Sequence, residues 1–310
     1  GITNGGITNA TGNVTAAGKE RVTRAAFEQA LPALRPEIHR YCSRMMGSVI
    51  DGEDMLQVAC LKAFEALERG DTVDNLRAWL FRIAHNTALD FLRARKREAA
   101  MLDAKSDVQT IEVDDLPMRS DVTETLRPFL ALPPRQRSSV IFRDVFGYTT
   151  GEVAELTGST IASVKAALHR GRANLQQSQA VETAQPASPL SAEERQRLVR
   201  YAEHFNARNF DKLRDMLAAE VRLELVSRIE ANGRKEVGNY YSNYDRVDDW
   251  LMMPGRVEGR PAILAFDPED GASGPAYFIL LQFTAGELQF IGDFRYARYA
   301  MENAEWERLG

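Results

Sequence analysis

The segment Tyr148-Thr149-Thr150-Gly151-Glu152-Val153-Ala154-Glu155-Leu156-Thr157-Gly158-Ser159-Thr160-Ile161-Ala162-Ser163-Val164-Lys165 constrains this chain more tightly than any other stretch. Val153, Ala154 and Leu156 give a short helix one buried side, and Gly158 stands where a helix ends in a left-handed residue. Ser159 or Thr160 then caps a second helix. In that helix Val164, Leu168 and Leu175 recur at i, i+4 and i+11, leaving Ser163, Lys165, Ala166, Ala167 and Arg170 more exposed. Two helices across so tight a turn have the spacing of a helix-turn-helix, whose second helix enters the major groove of DNA. An ordinary helical hairpin with a solvated basic face carries the same apolar period. The coincidence of the tight turn with local positive charge favours DNA. Lys165, His169, Arg170 and Arg172 are the expected phosphate and base contacts, with Ser159, Thr160 and Ser163 at the start of the helix.

That local charge vanishes in the whole-chain figure. Over 310 residues, 39 Lys/Arg meet 44 Asp/Glu, a net of −5 that by itself argues against a nucleic-acid partner. By segment, residues 21–100 carry a net of +2, residues 101–125 a net of −5, residues 126–180 a net of +4 and residues 181–310 a net of −6. Alternating basic and acidic blocks suggest modules with different partners. The length already exceeds one ordinary domain, and 44% hydrophobic with 27% charged residues excludes wholesale disorder. Cys42 and Cys60 cannot form a CxxC motif and fall in helical segments, which reads as a reduced cytoplasmic protein. The longest apolar run, Ala276–Leu281, is far short of the roughly 20 residues a membrane-spanning helix needs. Residues 1–20 repeat Gly-Ile-Thr-Asn, lack the blocks of a signal peptide and are expected to be a flexible tail.

The spacing predicts three helical segments in the first block: Val22–Met46, interrupted near Pro32 and Pro36; one starting after Asp51-Gly52 and stopped by Gly70; and Asn75 to about Lys96. Residues 101–121 show no sustained period and read as an acidic linker. Helices are expected again at Val122–Leu130, Arg135–Phe146 behind Pro133-Pro134, Thr150–Leu156 and Ile161–Gln177, followed by a linker at 178–190. Residues 191–310 begin with helices at Ala192–Asn206 and Asp211–Ala218, with another near Lys235–Tyr244. Strands are expected at Val221–Val226, Leu251–Val257, Ile263–Phe266, Tyr277–Thr284 and Leu288–Phe294. The expected architecture is multidomain: two all-α domains, 21–100 and 122–177, and a C-terminal α+β domain with a curved sheet.

The helix from Asn75 interleaves aromatics with cations: Arg77, Trp79, Arg82, Asn86, Arg93, Arg95, Lys96 and Arg97 surround its apolar stripe. Stacking platforms beside phosphate-neutralising charges suit single-stranded nucleic acid, although Trp79 and Phe81 fit a core equally well. Asp51-Gly52-Glu53-Asp54-Met55-Leu56-Gln57, Asn75–Asn86 with Asp90-Phe91-Leu92-Arg93, Leu132-Pro133-Pro134-Arg135-Gln136-Arg137, the helix-turn-helix and Ala167-Leu168-His169-Arg170-Gly171-Arg172 follow one another in order over about residues 20–177. Together they resemble a bacterial RNA polymerase sigma factor of the extracytoplasmic-function type, with regions 2 and 4. The resemblance implies that Asp54, Gln57 and Leu61 dock on core RNA polymerase. It implies that Asn75, Arg77, Trp79, Arg82, Asn86, Arg93, Arg95 and Lys96, with the loop Gly70–Asp74, hold the melted −10 element. Region 4 would read the −35 element, and the acidic linker would thread polymerase channels. Ala166-Ala167 stands where many family members carry polar or basic residues. Alanine can touch a thymine methyl but makes no bidentate hydrogen bond, so readout is expected to lean on backbone and DNA shape.

Residues 191–310, ending in Ile291-Gly292-Asp293-Phe294-Arg295-Tyr296, resemble a SnoaL-like cone, as in the sigma subgroup that carries such an extension. Tyr240, Tyr241, Trp250, Tyr277, Phe283 and Asp293 are pocket candidates by alternation and size. Catalysis would fall to Asp293 alone, since His204 is the one histidine here and lies on an early helix; Asp293 could equally face solvent or pair with Arg295 or Arg298. No metal cluster and no cofactor are expected. An acidic domain tethered to a basic one sits at high effective concentration, and it is expected to dock on the sigma domains and set their relative position and promoter access. The alternative is a helix-turn-helix regulator with a ligand-sensing or enzymatic cone, which would bind DNA without the polymerase.

Overall fold

The computed structural model describes residues 22–103, 126–178, 189–270 and 274–310. The expected tail, most of the acidic linker, most of the second linker and the start of the helix expected from Val122 lie outside the described residues.

Helix α1 (Arg24–Met46) starts at the Thr23 cap, whose hydroxyl accepts the Ala26 amide at 3.1 Å. It runs unbroken through Pro32 and Pro36, against the expected interruption. The two prolines lie four residues apart, away from the stripe of Phe27, Ile38, Tyr41 and Met45, so the carbonyls they orphan face outward while burial holds the helix together. Helix α2 (Val49–Glu68) begins earlier than expected, because Ser48 is its cap and Gly47, at φ 76, ends α1. Gly52 is therefore not a turn residue. A Cβ there would meet the Ser43 backbone at 2.8 Å, so Gly52 lets α1 and α2 approach closely. Helix α3 spans Leu76–Asp103, longer than expected, and takes the first residues of the presumed linker into its last turn.

The second helical module holds α4 (Arg127–Leu130), α5 (Pro134–Val140), a π-helical turn Ile141–Val145, α6 (Thr150–Thr157) and α7 (Ile161–Ser178). One continuous core joins it to α1–α3. Tyr41 stacks on Phe142 with ring centroids 4.5 Å apart, and Phe81 meets Phe142 and Phe146 edge-on at 5.6 and 5.1 Å. Arg137, buried in the middle of α5, donates to the carbonyls of Leu132 and of Met45 at the end of α1. Burial lowers the Arg137 pKa to about 10.

The C-terminal part is a seven-stranded mixed sheet in the order β2-β1-β6-β5-β4-β3-β7. Its strands are β1 (Leu217–Leu225), β2 (Ile229–Asn232), β3 (Leu251–Val257), β4 (Arg260–Phe266), β5 (Tyr277–Thr284), β6 (Glu287–Asp293) and β7 (Trp306–Arg308). Only β1 with β6 is parallel. Helices α8 (Ala192–Asn206), α9 (Phe210–Asp215), α10 (Arg234–Gly238) and α11 (Tyr240–Tyr244) cover one face. This is the α+β architecture expected from sequence, with differences. The helix expected to reach Ala218 ends at Asp215, because Leu217 already pairs with Leu288; Leu213 and Leu217 mimic a helical repeat across that junction. Strands β2 and β7 were not expected. The opposite face of the sheet is not solvated: Val257, Ala262, Leu264, Phe278, Leu280 and Phe294 share a third core with Val49, Ile50 and Leu126. A sheet covered on both faces explains the continuous apolar runs of β4 and β5.

Candidate nucleic-acid interface and interdomain seam

In the helix-turn-helix, Thr149 and Glu152 form a reciprocal capping box that starts α6, and Gly158 ends it at φ 62. Thr160, rather than Ser159, caps α7, accepting the Ser163 amide at 3.2 Å; the Ser159 hydroxyl instead pairs with Thr157 at 2.8 Å. Val164 and Leu168 are buried, while Ser163, Lys165, His169, Arg170 and Arg172 line the exposed side. Ala167 is a correction: it is 7% exposed and belongs to the buried stripe, because it follows Val164 by three residues, whereas Ala166 is half-exposed. Arg172 is held by two hydrogen bonds to Asp144, at 3.0 and 2.6 Å. Ile161, 49% exposed at the first position of α7, did not figure among the expected contacts, although a helical projection places it beside Lys165.

On α3, Asn75 caps the helix by accepting the Ala78 amide at 3.0 Å. Arg82, Asn86, Arg93 and Lys96 are exposed, and Arg95 is half-buried over the Phe91 ring. Two expected contacts are committed elsewhere. Trp79 packs edge-on against Phe27 at 6.2 Å, and Arg77 is bonded to Glu37 and to the Tyr148 hydroxyl. Arg77 thus ties the two helical modules together. On α2, Asp54 and Leu61 are exposed and Gln57 is half-exposed; Val58, 42% exposed, extends the same face.

The cone docks on the other end of α2 through a charged rim around the third core. Glu258, 3% exposed, accepts from the Ser48 hydroxyl at 2.6 Å and the Val49 amide at 2.8 Å. Arg260 donates to Asp51 at 3.0 Å, and Arg40 to both oxygens of Glu302 at 3.2 and 3.1 Å. Glu53 pairs with Arg35 in the interior and accepts from the Tyr299 hydroxyl at 2.7 Å. No residue of this seam was expected from sequence. The apolar runs of β4 and β5 were the one signal available for it.

Inside the cone, Asp293 is fully buried and accepts from Tyr240 and Tyr244, both at 2.7 Å, and from the Arg295 amide at 2.8 Å. Burial pushes its pKa up, and the two tyrosine hydroxyls oppose that. The Arg295 side chain does not reach it; it pairs with Asp249 at 2.8 Å and with the Tyr277 hydroxyl at 2.9 Å. The pocket candidates separate. Tyr240 and Asp293 line a cavity of about 90 Å³, while Tyr241 and Trp250 fill the interior with Phe205, and Phe283 borders a different cavity. Tyr277 is buried between Tyr244 and Arg295. Among the described residues no group of three or more His, Cys, Asp or Glu could hold a metal, and no helix is long and apolar enough to cross a membrane.

Residues 32–98 match the family model of Sigma-70 region 2, and residues 129–175 that of Sigma-70 region 4. The chain is 30% identical over 228 residues to the ECF RNA polymerase sigma factor SigG of Mycobacterium tuberculosis, covering 65% of this chain and 62% of that protein. It thus spans less than two thirds of the length of that relative. Identity to the RNA polymerase sigma-E factor of Streptomyces coelicolor is 30%, over 55% of this chain and 95% of that one. The crystal structure of the Mycobacterium tuberculosis extracytoplasmic function sigma factor SigJ aligns with 86% of this chain and 95% of its own, at 16% identity and a TM-score of 0.34.

Proposed function

The chain belongs to the extracytoplasmic-function family of RNA polymerase sigma factors, and from that premise we propose that it binds core RNA polymerase in the cytoplasm and directs promoter-specific transcription initiation. In this reading the α2 face around Asp54, Gln57 and Leu61 meets the polymerase. The exposed side of α3 holds the −10 element, and α7 reads the −35 element. The cone is regulatory and non-catalytic. One observation carries the regulatory part: side chains of the three binding faces reach solvent, with Asp54 at the edge of the seam beside Glu224, while the third core seats Leu126, at the entry to the second helical module, between α2 and the cone. The cone therefore acts as a splint that fixes the distance between the two DNA-reading modules, without masking either. In this reading, engaging two promoter elements at once needs that distance to change. Asp293 fits a structural role, since its oxygens are occupied by protein donors.

Run-off transcription with core polymerase tests both parts, comparing the full chain with a truncation near Ala187. The full chain should initiate only with the polymerase present, and truncation should raise promoter-dependent initiation. DNA binding without polymerase association would replace the sigma reading with that of a stand-alone regulator. Unchanged activity and unchanged DNA affinity on truncation would remove the splint.

A further inference from the structure

Resting on the regulatory reading above, we propose that the seam between the cone and α2 is a proton-operated clasp, in which Glu258 takes up a proton as the cone docks and releases it as the cone leaves. Glu258 and Gly259 are the two residues of the β3–β4 hairpin turn, with φ of 51 and 76. Positive φ at both positions is a turn that favours Asn, Asp or Gly, so a glutamate there is held against its backbone preference. What holds it is the other side of the seam. Its carboxyl crosses to the first turn of α2 and is sealed there by two neutral donors, the Ser48 hydroxyl and the Val49 amide. The nearby cation, Arg260, is bonded to Asp51.

The surrounding charges sharpen the effect. Asp51, Glu53 and Asp54 on α2 confront Glu224, Glu258 and Glu302 on the cone. Glu53 and Glu302 are compensated by Arg35 and Arg40. The pKa of Asp54 is raised by Glu224 across the seam, with partial relief from Arg260 on Asp54 and from Arg222 on Glu224. Burial pushes the Glu258 pKa up to about 7, against the pull of Ser48, Val49 and Arg260. Asp54, whose side chain still reaches solvent, is pushed up to about 6 by partial enclosure at the edge of the seam and then by Glu224 and Asp51, and Glu224 is raised by burial and by Glu230.

The sign follows from linkage. A carboxyl with a higher pKa docked than free binds its proton more tightly when docked, so docking strengthens as pH falls through about 7 toward the ordinary glutamate value of 4.5. The neutral carboxyl keeps both partners, donating to the Ser48 oxygen and accepting from Val49. His39 works in the opposite direction. Its Nε2 donates to the Val49 carbonyl at 2.8 Å, its ring faces Tyr299, and burial lowers its pKa, so charging it favours opening. Above its ordinary value of 6.5 the clasp is governed by the carboxyls.

The test uses the full chain with a dye pair at Glu65→Cys and Thr284→Cys, both exposed sites, while the native Cys42 and Cys60 are buried. Sub-denaturing urea poises docked and undocked states at pH 8.5. Lowering the pH to 6.5 should raise the docking constant about fourfold through Glu258, and Glu258→Gln, which mimics the neutral carboxyl, should stay docked and keep only the small slope left by Asp54 and Glu224. A docking constant unchanged across that window overturns the clasp, as does a Glu258→Gln chain that keeps the wild-type slope. The wild-type titration decides alone should the variant not fold. A chain undocked at every pH overturns the splint itself, which separates the two failures.

Discussion

At the scale of single residues, the molecule spends its buried polar groups on joints. Arg35 and Glu53 form an interior ion pair closed by Tyr299, and burial with uncompensated partners is what makes such pairs sensitive. Arg35→Ala, which leaves Glu53 buried without its cation, should cost about 3–5 kcal/mol in urea unfolding. Tyr240→Phe and Tyr244→Phe each remove one donor from Asp293 and should each cost about 1–3 kcal/mol. Because the folded-state pKa of Asp293 is raised, its contribution to cone stability is present at acid pH and lost as pH rises through that value. Either tyrosine variant should deepen that pH dependence, measurable as denaturation midpoints across pH. His85, driven down to about 4 by burial, stays neutral and accepts or donates to the Tyr41 hydroxyl at 2.9 Å, another structural use of a titratable group.

At the scale of elements, the helix-turn-helix separates local from tertiary causes. The Thr149–Glu152 box, Gly158 and the Thr160 cap are all set within a few residues, so α6 and α7 form where the sequence places them. Thr149→Ala should cost about 1 kcal/mol of stability with little change elsewhere. Lys165 lies on the exposed side, bound by no neighbouring acid among the described ion pairs. Lys165→Ala should weaken DNA binding by a similar factor across sequences and reduce the salt dependence by about one counterion, read from affinities at several salt concentrations. A sharp loss of base preference with unchanged affinity would show that Lys165 reads bases instead. Arg77 behaves differently. Its bonds to Glu37 and Tyr148 belong to the contact between modules, so the −10 role proposed for it would require that contact to open.

At the scale of the whole chain, three cores do different jobs: one joins the two helical modules, one fills the cone, and one joins the cone to α2 and Leu126. Phe142→Ala removes the ring that Tyr41 stacks on and should cost about 3–5 kcal/mol, mostly by loosening the second helical module from the first. Leu264→Asp places a charge in the third core and should release the cone. Small-angle scattering should then report a larger radius of gyration, with the helical modules still folded by circular dichroism. The net charge of −5 also divides at this scale: acidic and basic excess belong to different segments of the chain, and the seam itself brings carboxylates together from both sides.

The sequence by itself determined what is encoded in short spans. Helix caps, the turn at Gly158, the apolar periods of α3 and α7, the strands β3 to β6 and the family motifs all depend on neighbours within one or two turns. Tertiary structure decided the rest, because the causes lie far apart in the chain. Gly52 looks like a turn until Ser43 is seen against it, and Pro32 and Pro36 look like breaks until the buried face of α1 is counted. Ser48 and Glu258 stand 210 residues apart, and a hydrogen bond between them leaves no local period to read. The apolar runs of β4 and β5 fit a sheet covered on both faces. Only the folded molecule could say that α2 covers one of them.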